Sequence, residues 1–519
     1  MPREFDLTLP PAGGDEKEAI LSALRSRGEL SPESDTFVQI LKKSLDARRG
    51  TLRWHYRLRV FAAGEERQQP FRPGYYDVHR AEPVYIAGTG PAGLFCALRL
   101  LELGRKPVLL ERGKEVGLRK RDVAAISREH RVDPDSNYCF GEGGAGTFSD
   151  GKLYTRSKKR GDTGKILQTL VWHGAPPEIL YESHPHIGTD RLPGVIKKIR
   201  NTILEHGGEF HYQTRLTGLM SVAGRLTGFI TEPGGKMNTH CLVLATGHSA
   251  RDVYELLARE GIRLEMKGFA MGVRVEHPQE LINRIQYHGI KNIPGAPAAT
   301  YRLATRAGKF GVYSFCMCPG GFIVPSATSP GEVVVNGMSS WRRNSPYANA
   351  GIVTEITEED IPAVSRHGVL AGMKFQENME KQAWLEGGKT QQAPAQKLTD
   401  FLENKRPASL PPCSYFPGLQ PSPLHEWLPP FMVERLKQGF RLFDEKMRGF
   451  ITGEALLVGV ESRTSSPLRV VRDARNHTSV SCEGLFPCGE GAGYAGGIVS
   501  SAVDGQNTAD KVHAWLSRG

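Results

Sequence analysis

The 519-residue sequence predicts an α/β protein. Its doubly wound parallel sheet is split between two distant stretches of chain, with an α+β domain inserted between them and a small α+β module in front. Three observations predict this. An apolar run at 84–87 enters the glycine-bearing turn "EPVYIAGTGPAG" (82–93), and helically spaced leucines follow. A second cluster, "GLFPCGEGAGYAGGIVSSAVDG" at 484–505, holds seven glycines and no Lys or Arg, close to the C-terminus. Ahead of both, "TLRWHYRLRVF" alternates strictly, with Leu52, Trp54, Tyr56, Leu58 and Val60 on one face and Arg53, His55, Arg57 and Arg59 on the other. The predicted boundaries are 1–80 for the N-terminal module, 81–262 for the first part of the sheet domain, 263–445 for the inserted domain and 446–519 for its completion.

The first cluster has a physical job for each residue type. Gly88 permits a tight turn, Gly90 lets a pyrophosphate approach, and Gly93 lets a helix pack closely on the strand. The helix N-terminus then offers free N–H groups to phosphates. Leu94, Ala97, Leu98 and Leu101 fall on one helical face, and Gly104 sits where a C-terminal glycine belongs. A second strand, "KPVLLE", ends at Glu111, which can accept hydrogen bonds from a ribose and disfavours a 2′-phosphate. Strand, glycines, helix, second strand and acid together predict a dinucleotide site in a Rossmann-like domain.

Further glycine-bearing segments follow at "YCFGEGGAGTFSDGKLYTR" (138–156), "HCLVLATGH" (240–248) and the C-terminal cluster. Segments so far apart suggest one long ligand held by a discontinuous domain. With "HPHIGTD", "GVRVEHPQ", "FCMCPGG", "NGMSSW" and "SRTSSP", they make the chain resemble the FAD-binding fold of the glutathione-reductase superfamily. More closely, it resembles bacterial FAD-dependent dehydrogenases or oxidoreductases, over most of the chain from about residue 82 onward.

The resemblance implies FAD as cofactor. Gly88, Gly90 and Gly93 would hold its pyrophosphate with Pro91 and Ala92, and Glu111 its adenosine ribose with Arg112 alongside. Gly143, Gly144, Gly146 and Thr147 would lie towards the flavin, and Ala245, Thr246 and Gly247 would mark where the chain passes the cofactor again. Gly489 and Glu490 stand where many relatives have Gly-Asp against the ribityl hydroxyls. Gly497 and Ile498 would follow near the pyrimidine edge, at a helix N-terminus able to stabilise charge on a reduced flavin. With a single dinucleotide fingerprint, NAD(P)H enters only as a transient reductant.

In residues 1–80, "EFDLTL" reads as a strand and both "DEKEAILSALRSRG" and "SDTFVQILKKSLDAR" as helices. The basic face of the alternating strand suits a solvated surface, RNA, an acidic partner or the protein's own body, and "FRPGYYDVHRAEP" reads as a linker. In the inserted domain, "KGFAMGVRVE" and "GEVVVNGM" read as strands. Residues 391–430 carry nine of the 34 prolines and read as an extended surface connection. Aromatic and basic residues such as Trp341, Arg342, Arg343 and Tyr347 can line a site.

"SFCMCPGG" puts Cys316 and Cys318 on one face of a strand. A disulfide between them on a regular strand would be strained, and metal binding lacks further local ligands. Buried or site-lining thiols are the favoured reading, with redox chemistry behind it. His184 and His186 in "SHPHIGTDRLP" precede a helix capped by Thr189 or Asp190, and loop packing suits them better than metal. Arg274, His277, Cys316 and Arg463 are the candidates for substrate anchoring or proton transfer.

The net charge is +11, and residues 105–165 carry 15 Lys/Arg against 9 Asp/Glu. That patch suits either a phosphate backbone or an anionic cofactor. The start "MPREFDLTLPPAGGDEKEAI" lacks a signal-peptide profile, no apolar run reaches the ~20 residues a membrane span needs, and eight cysteines are scattered. A cytoplasmic location without membrane contact is expected. The leading expectation is an FAD-dependent oxidoreductase acting on a small molecule under a cap domain. An RNA- or tRNA-associated flavoprotein is the alternative, and a flavin-bearing scaffold without turnover a third.

Overall fold

The computed structural model describes the chain apart from residues 1, 12–13, 31–35, 49, 63, 67–68, 156–160, 291–292, 362–363 and 519. Four cations of the basic 105–165 stretch, Arg156, Lys158, Lys159 and Arg160, therefore lie outside the described residues. Among those described, no helix is long and apolar enough to cross a membrane.

The first sixty residues form a three-stranded antiparallel sheet. Strand Arg53–Phe61 lies between Arg3–Leu9 and Phe37–Asp46. The helix Glu16–Ser26 covers one face, burying Ile20 and Leu24 against Leu7, Tyr56, Leu58 and Val60. The segment expected as a second helix is the strand Phe37–Asp46; nine residue pairings with the central strand outweigh its helix-like apolar spacing. On the outer face, Glu4 accepts from Arg57 Nε at 3.1 Å and Arg59 Nη2 at 2.7 Å. The basic face is thus partly neutralised by the neighbouring strand.

A five-stranded parallel sheet follows, in the order Leu485–Pro487, Leu242–Leu244, Pro83–Ala87, Lys106–Leu110, Glu209–His211. Numbered along the chain and read from the Glu209–His211 edge this order is 3-2-1-4-5, a doubly wound arrangement whose direction reverses beside the first strand. Alternate residues face opposite sides. Ile86, Val243 and Phe486 meet helices Pro91–Glu102, Leu192–Glu205 and Ile498–Leu516, whereas Leu242, Leu244 and Leu485 meet Phe229 and helix Arg251–Arg259. A three-stranded meander, Arg215–Val222, Arg225–Glu232 and Gly235–Asn238, supplies Leu219, Leu226 and Phe229. The sequence reading passed over it, although turns at Ala223-Gly224 and Pro233-Gly234-Gly235 punctuate it.

The chain between these halves builds a seven-stranded sheet, in the order Ala304–Ala307, Phe310–Cys318, Tyr347–Ile356, Phe269–Pro278, Leu456–Glu461, Ala393–Lys397, Leu419–Pro421. Strand Leu456–Glu461 belongs to it, so this sheet extends past the expected boundary at residue 445. The proline-rich 391–430 stretch is no surface connection. It supplies two strands and buries Ala393, Leu398, Phe401, Tyr415 and Leu424 in the core under helix Pro430–Lys446. "GEVVVNGM" is a strand only from Val335 onward, where Val335–Ser339 pairs with Gly321–Pro325.

The N-terminal module is docked onto both larger parts. Lys43 exchanges main-chain hydrogen bonds with Tyr181 and Ser183, at 2.8 and 3.0 Å. Leu52 is buried in the core of the seven-stranded sheet, and Leu45 and Ala47 pack against it. The "linker" is also fastened, with Tyr76 N donating to Leu101 O and Val78 N to His206 O. Leu52→Ala therefore opens a cavity at a junction, a change worth about 2–4 kcal/mol in a core. The expected outcome is a lower melting temperature by circular dichroism; an unchanged one would mean that the module is not coupled to the seven-stranded sheet.

Candidate functional site

A cavity runs along the carboxyl ends of the five parallel strands. It is lined by Ala87 to Ala92, by Leu110 to Arg112, by Gly144 to Gly146, by Ala245 to Ala250, and by Glu490 and Gly496 to Ile498. The glycines sort by what a side chain would meet. At Gly88 (φ +107°) a Cβ would lie 2.3 Å from Ala245 O, and at Gly93 1.9 Å from Gly88 O, so these two permit close packing of the chain on itself. At Gly90 the nearest contact is Gly144 Cα at 3.8 Å, and at Gly247 and Gly497 a Cβ meets nothing within 4 Å. Those three clear the cavity itself.

No side chain caps helix Pro91–Glu102 or helix Ile498–Leu516, whose N-termini begin at Gly90 and Gly497. Both positive dipole ends therefore open onto the cavity. A glycine cradle between two uncapped helix N-termini fits a dinucleotide diphosphate, and residues 88–92, 144–146, 245–247 and 497–498 are those able to hold it.

The loop 138–147 is held by one buried cation. Arg119 donates to the carbonyls of Asn137, Tyr138, Gly141, Glu142 and Gly144 at 2.7–3.2 Å, and to Thr147 Oγ1 at 3.1 Å. Gly143 and Thr147 belong to this scaffold and do not line the cavity. Gly489 also lies behind the wall, its N–H donating to Asp504 Oδ2 at 2.7 Å, while Asp504 pairs with Arg472. Neither Arg119 nor Asp504 was singled out in the sequence. Arg119 sits within an ordinary Arg-Lys-Arg run on a helix, and nothing local marks its direction.

Glu111 lines the cavity, but both its oxygens are engaged by the chain. Oε2 accepts from Thr89 N and Oγ1, and Oε1 from the N–H groups of Gly113 and Gly141. Its observed work is to tie the first glycine turn to the second glycine loop rather than to await a ribose alone. Arg112 stacks 4.1 Å over Phe140 and pairs with Asp135 and Asp252. Glu490 faces the cavity with 26% of its side chain exposed and His248 Nε2 3.8 Å away. Burial pushes its carboxyl up to about 7, and burial followed by Arg463 pushes His248 down to about 3.

The four proton-transfer candidates separate. His277 is fully buried, bonded to Phe450 O at 2.8 Å, and lines no part of this cavity; burial lowers it to about 4. Arg274 is 0% exposed behind the wall, 3.3 Å from Glu461 and 3.2 Å from Cys316 O. Both readings as site-lining groups are therefore corrected: strand Phe269–Pro278 is buried on both faces, so its polar residues point into packing. Arg463 lines the cavity, yet Glu380, Glu332 and Thr328 hold its guanidinium, and Arg251 bridges the same two acids.

Cys316 does reach the site. A register shift between Phe315 and Cys318 breaks the regular strand, and Cys316 adopts φ +46°, a strained conformation for a side-chain-bearing residue. Lys152 Nζ lies 3.6 Å from its Sγ and 3.5 Å from Cys318 Sγ. A hydrogen bond from Cys318, then the Lys152 ammonium, hold the Cys316 thiol well below its usual range despite burial. Cys318 is pushed up by that same bond and by burial.

Beyond Cys316 opens a second cavity, of about 1230 Å³. His184 and Arg343 line it, whereas His186 stacks on Trp341 at 4.9 Å and is pushed down to about 4 by burial. Asp190 bonds Trp341 N rather than capping helix Leu192–Glu205.

The Arg119 network makes a direct prediction. Lysine has three donors without the guanidinium fork, so Arg119→Lys leaves buried carbonyls unpaired, each at about 1–3 kcal/mol. A drop in melting temperature is expected; wild-type melting would show that the loop is held by something else.

Residues 268–464 match the family described as FAD-dependent protein, C-terminal domain-like, and residues 1–61 match a domain of unknown function, DUF8436. An uncharacterized protein of Clostridium beijerinckii (strain ATCC 51743 / NCIMB 8052) is 41% identical over 505 residues, covering 93% of each chain. Among solved structures, the flavin-dependent brominase Bmp2 overlaps 84% of this chain and 80% of its own at 13% identity and TM-score 0.36. Glycine oxidase from Bacillus cereus ATCC 14579 overlaps 84% and 96% at 14% identity and TM-score 0.32. On the sequence matches, the chain belongs to one family with the clostridial protein, a family of FAD-dependent proteins.

Proposed function

We propose that this chain is an FAD-dependent oxidoreductase with a glutathione-reductase-type cofactor domain, in which a small organic substrate lies in the second cavity against Cys316. One observation carries the reading: the glycine-lined cavity and the second cavity share Lys152, Phe315, Cys316 and Gly496 in their walls. When bound, the flavin supplies hydride exchange at N5.

The chain's own groups supply the rest. The glycine turn at Gly90 and the N-terminus at Gly497 favour the cofactor's negative charges. Glu490 faces that cavity as an acceptor for ribityl hydroxyls. At the junction, Cys316 Sγ is the group placed to take or return a proton, and the bond from Cys318 together with Lys152, anchored 3.1 Å from Asp150, holds it below its usual range. Phe315 forms part of the wall beside it.

Two experiments test this reading. A Cβ at residue 90 finds its nearest protein atom, Gly144 Cα, at 3.8 Å, so Gly90→Val should fold yet purify without FAD. A wild-type protein that carries no FAD and takes up none on reconstitution would sink the proposal. Iodoacetamide should alkylate Cys316 with a pH midpoint below that of a free thiol, and Lys152→Met should move that midpoint upward. A midpoint at the free-thiol value would remove Cys316 from the role of proton carrier.

A further inference from the structure

The second cavity has a one-sided charge. Six cationic side chains line it, Lys152, Lys267, Arg302, Arg343, Lys446 and Arg469, and among the described residues no Asp or Glu does. The nearby carboxylates stand behind the wall. Asp150 serves Lys152 and Arg343 together, at 3.1 and 3.0 Å. Glu265 approaches Arg469 only to 3.9 Å, and Glu490 faces Lys267 from the neighbouring cavity. Glu182 faces Arg343 and Glu461 faces Lys152, but burial raises the carboxyls of Glu182, Glu461 and Glu490, so these acids offset the cations only in part.

The donors there are also incompletely used. The Nε atoms of Arg343 and Arg469 are buried with no hydrogen-bond partner among the described residues. Between the cations run Tyr154, Tyr301, Phe315, Met317 and Tyr494, an apolar and aromatic lining. Like charges gathered in a concave wall repel one another, and the low-dielectric surroundings focus their field on whatever enters. A neutral ligand would leave that repulsion in place. An anion relieves it.

We infer that the substrate held in this cavity is a small organic anion, bearing a carboxylate or a phosphate on a planar or apolar body. Its charged end lies among the six cations, and its reacting carbon lies at the junction beside Cys316. This rests on the proposed oxidoreductase reading and names its substrate class. It also accounts for part of the chain's basic balance without a nucleic acid.

Cys316 provides a reporter inside the cavity that needs no turnover. Iodoacetate and iodoacetamide are near-isosteric alkylating reagents, one anionic and one neutral. In the full-length protein, the iodoacetate/iodoacetamide rate ratio at Cys316, read by peptide mass spectrometry, should exceed that of free glutathione by about tenfold or more. The excess should shrink at 1 M ionic strength and in the Arg302→Gln/Lys446→Gln double variant. Cys316→Ser identifies the labelled atom, and released flavin measures FAD content in parallel. Isophthalate and phenyl phosphate distinguish the two anion types by which one protects Cys316, with isophthalamide as the neutral control. A ratio equal to that of glutathione, protection by isophthalamide equal to that by both anions, or a Cys316 inert to both reagents would each overturn the inference. Loss of FAD with the charge preference intact would instead count against the oxidoreductase reading alone.

Discussion

The cofactor cavity depends on one buried guanidinium. Arg119 gathers five main-chain carbonyls of the 137–144 loop, and a sixth donation goes to Thr147. Without it those carbonyls would point at one another in a dry interior. A glycine-rich loop gains close approach to a ligand but loses the side chains that would otherwise fix its path. Arg119 restores that path from behind. Glu111 acts as its counterpart, tying Thr89 and Gly141 so that the first and second glycine segments hold a common spacing.

What was legible in the sequence follows from locality. Gly88, Gly90 and Gly93 could be assigned because each answers to a turn, a clearance or a helix contact within a dozen residues. Gly104 after helix Pro91–Glu102 is the same kind of signal, with φ +69°. The strand at Phe37–Asp46 was misread because its apolar spacing suits a helix, and only pairing with Arg53–Phe61 decides the matter. Arg274 and His277 were misplaced because alternation along a strand cannot tell a site-facing side from a second buried side. Arg119 and Asp504 escaped notice because both act through main-chain atoms distant in sequence.

Cys316 shows how an irregularity can carry more information than a regular element. On an unbroken strand its thiol would share a uniform face with Cys318. The register shift and positive φ accompany its place in the wall where two cavities meet, while Lys152 stays within 3.6 Å of both thiols. The strain there of order 1–3 kcal/mol is held in place by the paired strands on either side. The charge asymmetry of the neighbouring cavity follows the same logic, since Asp150, shared by Lys152 and Arg343, orients the cations without cancelling them.

The crossing of helices Pro91–Glu102 and Ile498–Leu516 has a consequence for the order in which the molecule is made. A Cβ at Gly505 would stand 2.2 Å from Ala92 O, so the two helices meet backbone to backbone across some four hundred residues of chain. During synthesis the first glycine turn leaves the ribosome some four hundred residues ahead of its partner helix. Until that helix emerges, Leu94, Leu98 and Ala97 have no second helix to lie against. The nascent chain must therefore shelter an unfinished apolar surface while the intervening residues are made, and a chain cut before Gly497 would lack both that cover and the second helix N-terminus. Ligand capture thereby becomes a report on whether translation has passed the second helix.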